Sequence, residues 1–267
     1  MIVAVDTLLQ GVLLGGLYAL FAAGLSLIFG VMRVVNLAHG DMIVLAAFLI
    51  FAIAQGFGVG LGVALLFAIP AMFAIGYGVQ FVLLNRVVGR DILPPLLVTF
   101  GLSIFTQNGL LAVFSADSRR LSAGGLESAS IALAPGLAIG VVPLMTLAAA
   151  IVVIVGLNQL FYRTAMGRAF RAVSDDPAIA QLMGVDNKRV FATAMGLALA
   201  VGAVAAVFLG VRANFDPSIG PARLIFAFEA VIIGGLGSGG GLAQECLQLG
   251  EDLFDGVQVR RVGRQEE

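Results

Sequence analysis

Polar side chains interrupt an apolar sequence at a few positions where they could contact a solute or bond to one another. Thr99, Ser103 and Gln107 are spaced at i, i+4 and i+8, so a helix places them on one face. They predict either hydrogen bonds between helices or a polar pathway surface. Glu229 stands in the apolar run 224–236, where a carboxylate is costly unless it faces a partner or a water-filled path. It predicts either attraction of a substrate ammonium group or a structural acceptor for neighbouring donors.

The segment from Asn36 to Asp41, N-L-A-H-G-D, contains the one histidine of the chain, His39. One histidine with one nearby carboxylate is a poor ligand set for a metal, so no metal site is predicted. The segment indicates a break between helices, and its candidate pathway residues are Asn36, His39 and Gly40. Free amide and carbonyl groups at such breaks face the path in many transporters, although a satisfied structural turn is the alternative.

The composition defines the surroundings of these groups. The chain has 267 residues, 60% of them hydrophobic, and a mean hydropathy of +1.05, which predicts a protein that crosses the membrane several times. A formal net charge of −1 argues against nucleic-acid binding, and a single cysteine, Cys246, excludes an intramolecular disulfide. Lipid is therefore the expected environment of most of the chain.

Seven apolar stretches are candidates for membrane spans. They run over about 8–29, 42–55, 58–84, 95–114, 141–162, 191–212 and 224–236. The second and the last are shorter than the roughly 20 residues of a full span, which indicates broken or re-entrant helices. Small residues at four-residue spacing, such as Gly11 with Gly15 and Gly196 with Ala200, indicate close helix packing within one bundle. The predicted fold is an all-α transmembrane helical bundle with about seven spans.

Basic residues predict the orientation of the bundle, because loops rich in Arg and Lys stay in the cytoplasm. One side holds Arg33, Arg86, Arg90, Arg163, Arg168, Arg171, Lys188, Arg189, Arg260, Arg261 and Arg264, and the other holds Arg119, Arg120, Arg212 and Arg223. The loop 163–190 is therefore predicted to be cytoplasmic, and the segment 36–41 lies near the inner end of the first span or deeper if the helix is broken.

The cytoplasmic loop predicts a short helix. Ser174, Asp175 or Asp176 caps a helix that starts at Pro177, and Gly184 stops it. Charged residues flank this helix on both sides. The pattern suits docking into a groove of a soluble partner, and an ordinary solvated loop is the alternative.

Four ordered motifs carry a resemblance to a known family. G-R-A-F-R-A-V-S-D-D-P-A-I-A-Q-L-M-G-V at 167–185 resembles the cytoplasmic coupling loop of permease subunits in ABC importers for branched-chain amino acids. F-G-V-M-R-V-V-N-L-A-H-G-D-M at 29–42, L-V-T-F-G-L-S-I-F-T-Q-N at 97–108 and F-E-A-V-I-I-G-G-L-G-S at 228–238 resemble its other markers. The match covers roughly residues 8–238.

The resemblance implies a transport subunit and not an enzyme. Its expected partners are a second permease subunit, two cytoplasmic ATPase subunits and an extracytoplasmic substrate-binding protein, all assembled at a bacterial inner membrane. Because the chain contains no G-x-x-x-x-G-K-[ST] phosphate loop, ATP is expected on the partner subunits and no cofactor on this chain. Carried over position by position, the resemblance assigns ATPase contact to Gly167, Arg168, Arg171, Asp175, Pro177, Ala180 and Gly184. Related permeases for amides or urea, a secondary transporter and a channel are the alternative functions.

The end of the chain departs from the family. We expect a permease domain over residues 1–238, with the coupling loop at 163–190, followed by a polar cytoplasmic tail over 239–267. The family would continue with another apolar span, but nine charged residues follow Ser238. A tail of this charge density is not expected to cross a bilayer.

Overall fold

The computed structural model describes residues 2–88, 93–134 and 137–233, and the chain there is mainly helical. The long helices are α1 (Ile2–Met32), α2 (His39–Phe57), α3 (Leu61–Val82), α4 (Leu93–Phe114), α5 (Val141–Arg163) and α8 (Asn187–Arg212). Shorter elements are α6 (Ala165–Asp175), α7 (Pro177–Leu182), α9 (Gly220–Ile233) and a 3-10 turn at Leu84–Arg86. The predicted helical bundle is confirmed.

Six helices of the described part are long and apolar enough to cross a membrane, and they coincide with the first six predicted stretches. The seventh stretch corresponds to α9, whose 14 described residues are shorter than a span. Several predicted features lie outside the described residues: Arg90, the expected tail 239–267 and, within that tail, Cys246 and the basic residues. A short hairpin that was not predicted connects α4 to α5, with β1 (Ser130–Ala134) antiparallel to β2 (Leu137–Gly140).

Helix α8 occupies the centre of the bundle, where it packs against α1, α2 and α3. Glycine allows the closest of these approaches: a Cβ atom on Gly76 of α3 would lie 2.8 Å from the Met195 carbonyl oxygen of α8. A Cβ atom on Gly196 would in turn lie 2.9 Å from the Phe73 carbonyl oxygen. The predicted packing of small residues is therefore confirmed for Gly196.

The same prediction is wrong for Gly11 and Gly15 within this chain. A Cβ atom on either residue would meet no atom within 4 Å. Both residues are half-buried, but no other part of the described chain packs closely against them. Glycine spacing alone does not distinguish a helix face that packs inside the subunit from one that does not.

The two ends of the bundle are fixed by contacts between connections. At the basic end, Asn85 Nδ2 donates to the Lys188 carbonyl oxygen at 3.1 Å, and Ser174 Oγ donates to the Gly30 carbonyl oxygen at 2.6 Å. At the opposite end, the backbones of Arg119 and Phe215 pair in both directions at 2.8 and 2.9 Å. Helix α1 runs from the opposite end to the basic end, and α8 returns.

Candidate functional site

The first candidate segment is a real interruption between α1 and α2. Arg33 adopts a left-handed conformation, with φ of 52°, directly after the last residue of α1. Asn36 then closes a turn, because its Oδ1 accepts from the Ala38 N–H at 3.0 Å and its carbonyl oxygen accepts from the His39 N–H at 3.2 Å. Asn36 is buried, with Nδ2 at 3.7 Å from the Met195 sulfur.

The break returns the chain to the middle of the helical bundle. His39, the first residue of α2, is fully buried and its Nε2 lies 3.3 Å from the Phe21 carbonyl oxygen of α1. A Cβ atom on Gly24 would lie 2.9 Å from both the His39 ring and the Ala198 carbonyl oxygen, and Ala198 is near the midpoint of α8. Helix α2 therefore begins at mid-depth, the deeper of the two positions expected from the sequence.

A second helix begins at the same depth. Gly40 in the first turn of α2 lies so close to Gly220, the first residue of α9, that a Cβ atom on Gly40 would overlap the Gly220 carbonyl oxygen. A Cβ atom on Gly220 would overlap the Asp41 carboxylate. Two helix N-termini thus meet at mid-depth, and the Asp41 side chain lies between them. Partial positive charge at helix N-termini favours a carboxylate at this place.

Helix α9 then runs from this meeting point towards the opposite end. The Phe226 ring of α9 stacks on Tyr18, with centroids 5.1 Å apart and planes at 14°. Tyr18 precedes Phe21 on α1 and so lies nearer the opposite end than the level of His39. The segment 213–219 descends from the end of α8, and α9 turns back, which makes this part of the chain re-entrant.

Asp41 connects the meeting point to α4. Ser103 Oγ donates to Asp41 Oδ2 at 2.5 Å, and Gln107 Nε2 donates to Asp41 Oδ1 at 3.0 Å and to Ser103 Oγ at 3.1 Å. Asp41 is 1% exposed. The sequence left two roles open for this face of α4, hydrogen bonds between helices or a polar pathway surface. For Ser103 and Gln107 the geometry shows hydrogen bonds between helices.

Thr99 lies on the same buried face but does not join this cluster. Its Oγ1 donates to the Leu96 carbonyl oxygen of its own helix at 3.0 Å. Thr106, two turns further, likewise donates to the Leu102 carbonyl oxygen at 2.8 Å. Both hydroxyls donate to backbone carbonyl oxygens of α4 itself, as threonine hydroxyls do in apolar helices.

Glu229 is the one predicted pathway residue on an exposed surface of the described chain. It lies on the face of α9 that carries Ile225 and Ile232, which are also exposed. No hydrogen bond or ion pair to its carboxylate occurs within residues 2–88, 93–134 and 137–233. A structural acceptor role was one expected alternative, and the described part of the chain contains no donor to the Glu229 carboxylate that would support it.

The loop at the basic end folds as the capping pattern predicts. Asp176 Oδ1 accepts from the N–H groups of Ala178 and Ile179 at 2.8 and 3.0 Å, and α7 starts at Pro177. Gly184 ends this unit with φ of +85°. Beside α7, a cleft of about 680 Å³ opens towards Asn85 in the 3-10 turn that follows α3.

The seven residues assigned to ATPase contact by resemblance occupy different environments. Arg168, Asp175, Pro177 and Gly184 are exposed. Gly167 is buried where α6 folds back against the last turn of α5, and Arg171 donates to the Phe161 carbonyl oxygen at the same junction. Ala180 is buried, at 4% exposure, on the inner side of α7. These three residues shape the loop.

Sequence reasoning included residues 178–184 in a predicted docking segment but did not single out the apolar side chains there, and it gave Asp41 no structural role. Leu182 and Met183, with exposures of 87% and 81%, form with Ile179 an apolar surface on α7 that faces away from the chain. An apolar side chain in a charged, solvated loop is the signal that identifies them. Asp41 was considered only as an incomplete metal ligand, although a carboxylate at the start of an apolar run indicates a buried partner. Within the described residues, no group of three or more His, Cys, Asp or Glu side chains is suited to a metal.

The described chain is a helical bundle in which broken helices meet at mid-depth and a capped short helix lies at one end. These features define a multi-pass membrane protein of the permease class. The chain matches the family model described as "Branched-chain amino acid transport system / permease component" over residues 7–243. It therefore belongs to this family of transport permeases.

Named relatives agree with the family. The high-affinity branched-chain amino acid transport system permease protein BraD of Pseudomonas aeruginosa is 29% identical over 92% of this chain and 86% of its own length. The corresponding protein LivH of Escherichia coli is 30% identical over 86% of this chain and 78% of its own length. A probable LivH of Methanocaldococcus jannaschii is 35% identical over a shorter stretch, 32% of this chain. No solved structure matches the chain.

Proposed function

We propose that this chain is one membrane-spanning subunit of an ABC importer that moves branched-chain amino acids into the cell. ATP is hydrolysed by two cytoplasmic ATPase subunits, and a second permease subunit completes the path. An extracytoplasmic binding protein delivers the substrate at the opposite end of the bundle. The basic end lies in the cytoplasm of a bacterial cell and the bundle in its inner membrane.

The observation that carries this proposal is the apolar surface of α7 at the basic end. A solvated loop has no physical reason to expose Ile179, Leu182 and Met183 together, whereas burial of such side chains in a groove of a partner stabilises a complex. Asp176 and Gly184 hold the helix that presents them. A carrier that works alone needs no such surface in the cytoplasm.

The structure also identifies the substitution that tests docking cleanly. A bulky charged residue at Ala180 would disturb the loop itself, because Ala180 is buried within the chain. Leu182→Glu changes only the exposed surface. We expect it to lower substrate-stimulated ATPase activity of the reconstituted transporter about tenfold or more, since burying one leucine contributes about 1.5–3 kcal/mol.

Gln181→Glu is the matched control, because it adds the same charge at the neighbouring exposed position and leaves the apolar surface intact. We expect near-normal stimulation in this variant. Normal stimulation in Leu182→Glu, with the permease subunits still assembled, would contradict ATPase docking through α7.

A further inference from the structure

The residue that carries a further inference is Arg212, in the last turn of α8 at the opposite end. Its Nη1 is buried and has no hydrogen-bond partner among the described residues. Within the part of the chain that the structure describes, no carboxylate forms an ion pair with it; the ion pairs there join Arg119 to Asp117, Arg120 to Glu127 and Arg189 to Asp186. A buried guanidinium N–H without an acceptor is unfavourable, so Arg212 is arranged to receive one.

The surroundings of Arg212 define the ligand it suits. The Tyr18 side chain lies in the neighbourhood of the Arg212 guanidinium. Tyr18 in turn stacks on Phe226 of the re-entrant helix α9. A cation in the neighbourhood of one of two stacked aromatic rings suits a molecule that carries a carboxylate next to an aliphatic side chain. The planar guanidinium binds carboxylates through two parallel hydrogen bonds.

We infer that Arg212 receives the α-carboxylate of the amino acid as it enters the permease, with the Tyr18 and Phe226 rings against its side chain. This inference rests on the proposed function, because only then is the opposite end the entry side for an amino acid. Arg212 recognises the α-carboxylate, which all amino acids share. The choice among side chains remains with the binding protein.

Arg120 provides a matched control at the same end. Its guanidinium already donates to the Val211 carbonyl oxygen at 3.1 and 3.3 Å and lies 3.5 Å from Glu127. Removing either arginine changes the overall charge of this end equally. Of these two arginines, only Arg212 has a buried donor atom without a partner in the described part of the chain. A difference between the two variants therefore reports a specific contact and not general electrostatic attraction.

The test is uptake per ATP hydrolysed by the complete transporter in vesicles of phosphatidylethanolamine and phosphatidylglycerol, with saturating leucine-loaded binding protein. We expect Arg212→Gln to lose about 10- to 100-fold, the range of one hydrogen bond between charged groups. Arg212→Lys should retain part of the activity and Arg120→Gln nearly all of it. Equal uptake per ATP in Arg212→Gln and Arg120→Gln would overturn the inference. Absence of ATP-driven leucine uptake in the unaltered transporter would instead refute the proposed function.

A labelling experiment separates a substrate carboxylate from a lipid phosphate as the acceptor. In a Cys246→Ser background, which removes the only native cysteine, Arg212→Cys can be modified with aminoethyl methanethiosulfonate. This reagent restores a positive charge, so we expect it to restore uptake. Leucine delivered by the binding protein should slow the modification severalfold. A modification rate that leucine leaves unchanged would assign Arg212 to lipid and overturn the inference.

Discussion

Asp41 is the residue whose replacement tests most directly how the broken helices are held. Its carboxylate accepts from Ser103 Oγ at 2.5 Å and from Gln107 Nε2 at 3.0 Å, and these contacts attach α4 to the start of α2. Asp41→Leu removes both. Hydrogen bonds between membrane helices contribute about 0.6 kcal/mol on average and up to about 1.7 kcal/mol each, so we expect a loss of about 1–3 kcal/mol.

The loss is measured as a change in the temperature at which the detergent-purified transporter loses its monodisperse chromatographic peak. At about 2–4 °C per kcal/mol for a chain of this size class, Asp41→Leu should lower this temperature by about 2–12 °C. Asp41→Asn should lower it much less. Its Oδ1 still accepts from Gln107, and its amide N–H can donate to Ser103 Oγ, which is able to accept.

Thr106→Val is the matched control for Asp41→Leu. It removes a hydroxyl from the same buried face of α4, but that hydroxyl bonds only to the Leu102 carbonyl oxygen of its own helix. We expect a change of about 1 °C or less from this variant, well below the range for loss of a contact between helices. If Asp41→Leu were no less stable than Thr106→Val, the cluster around Asp41 would not hold α4 in place.

Two further predictions concern the meeting of the helices and the end of the chain. Gly40→Ala places a Cβ atom against the Gly220 carbonyl oxygen and should lower stability by about 1–3 kcal/mol, as overpacking does. Gly11→Ala, the control, should change stability by about 0.5 kcal/mol or less. Equal effects of the two variants in the same heating assay would refute the close contact of Gly40 with Gly220. Cys246, in the tail predicted to be cytoplasmic, should react with a membrane-impermeant thiol reagent only after cells are permeabilised, and reaction in intact cells would refute that placement.

Much of the bundle could be predicted because lipid imposes simple rules on the sequence. Six apolar runs became helices of spanning length, and the capped helix at Pro177 follows from local side-chain chemistry. The short runs also indicated the broken helices. Their depth could not be predicted, since it depends on contacts such as His39 with Phe21, which are far apart in the chain.

The candidate sites were predicted less completely, for a physical reason. The spacing of Ser103 and Gln107 places them on one face, but nothing in that spacing identifies Asp41 as their partner. In the coupling loop, the resemblance selected residues by motif and so included Ala180, which shapes the loop from inside. Buried residues hold a surface in shape, whereas exposed residues can contact a partner. A sequence does not state directly which residues are buried.

Burial also separates two kinds of polar group in this permease. Asn36, His39 and Asp41 are enclosed by the chain itself, so they hold the broken helices at mid-depth. Glu229 is exposed, and Arg212 has an unused donor. A zwitterion needs an acceptor for its ammonium group and a donor for its carboxylate. Glu229 on the re-entrant helix and Arg212 at the end of α8 supply one of each. The enclosed polar groups therefore position α9, and we expect Glu229 and Arg212 to meet the substrate.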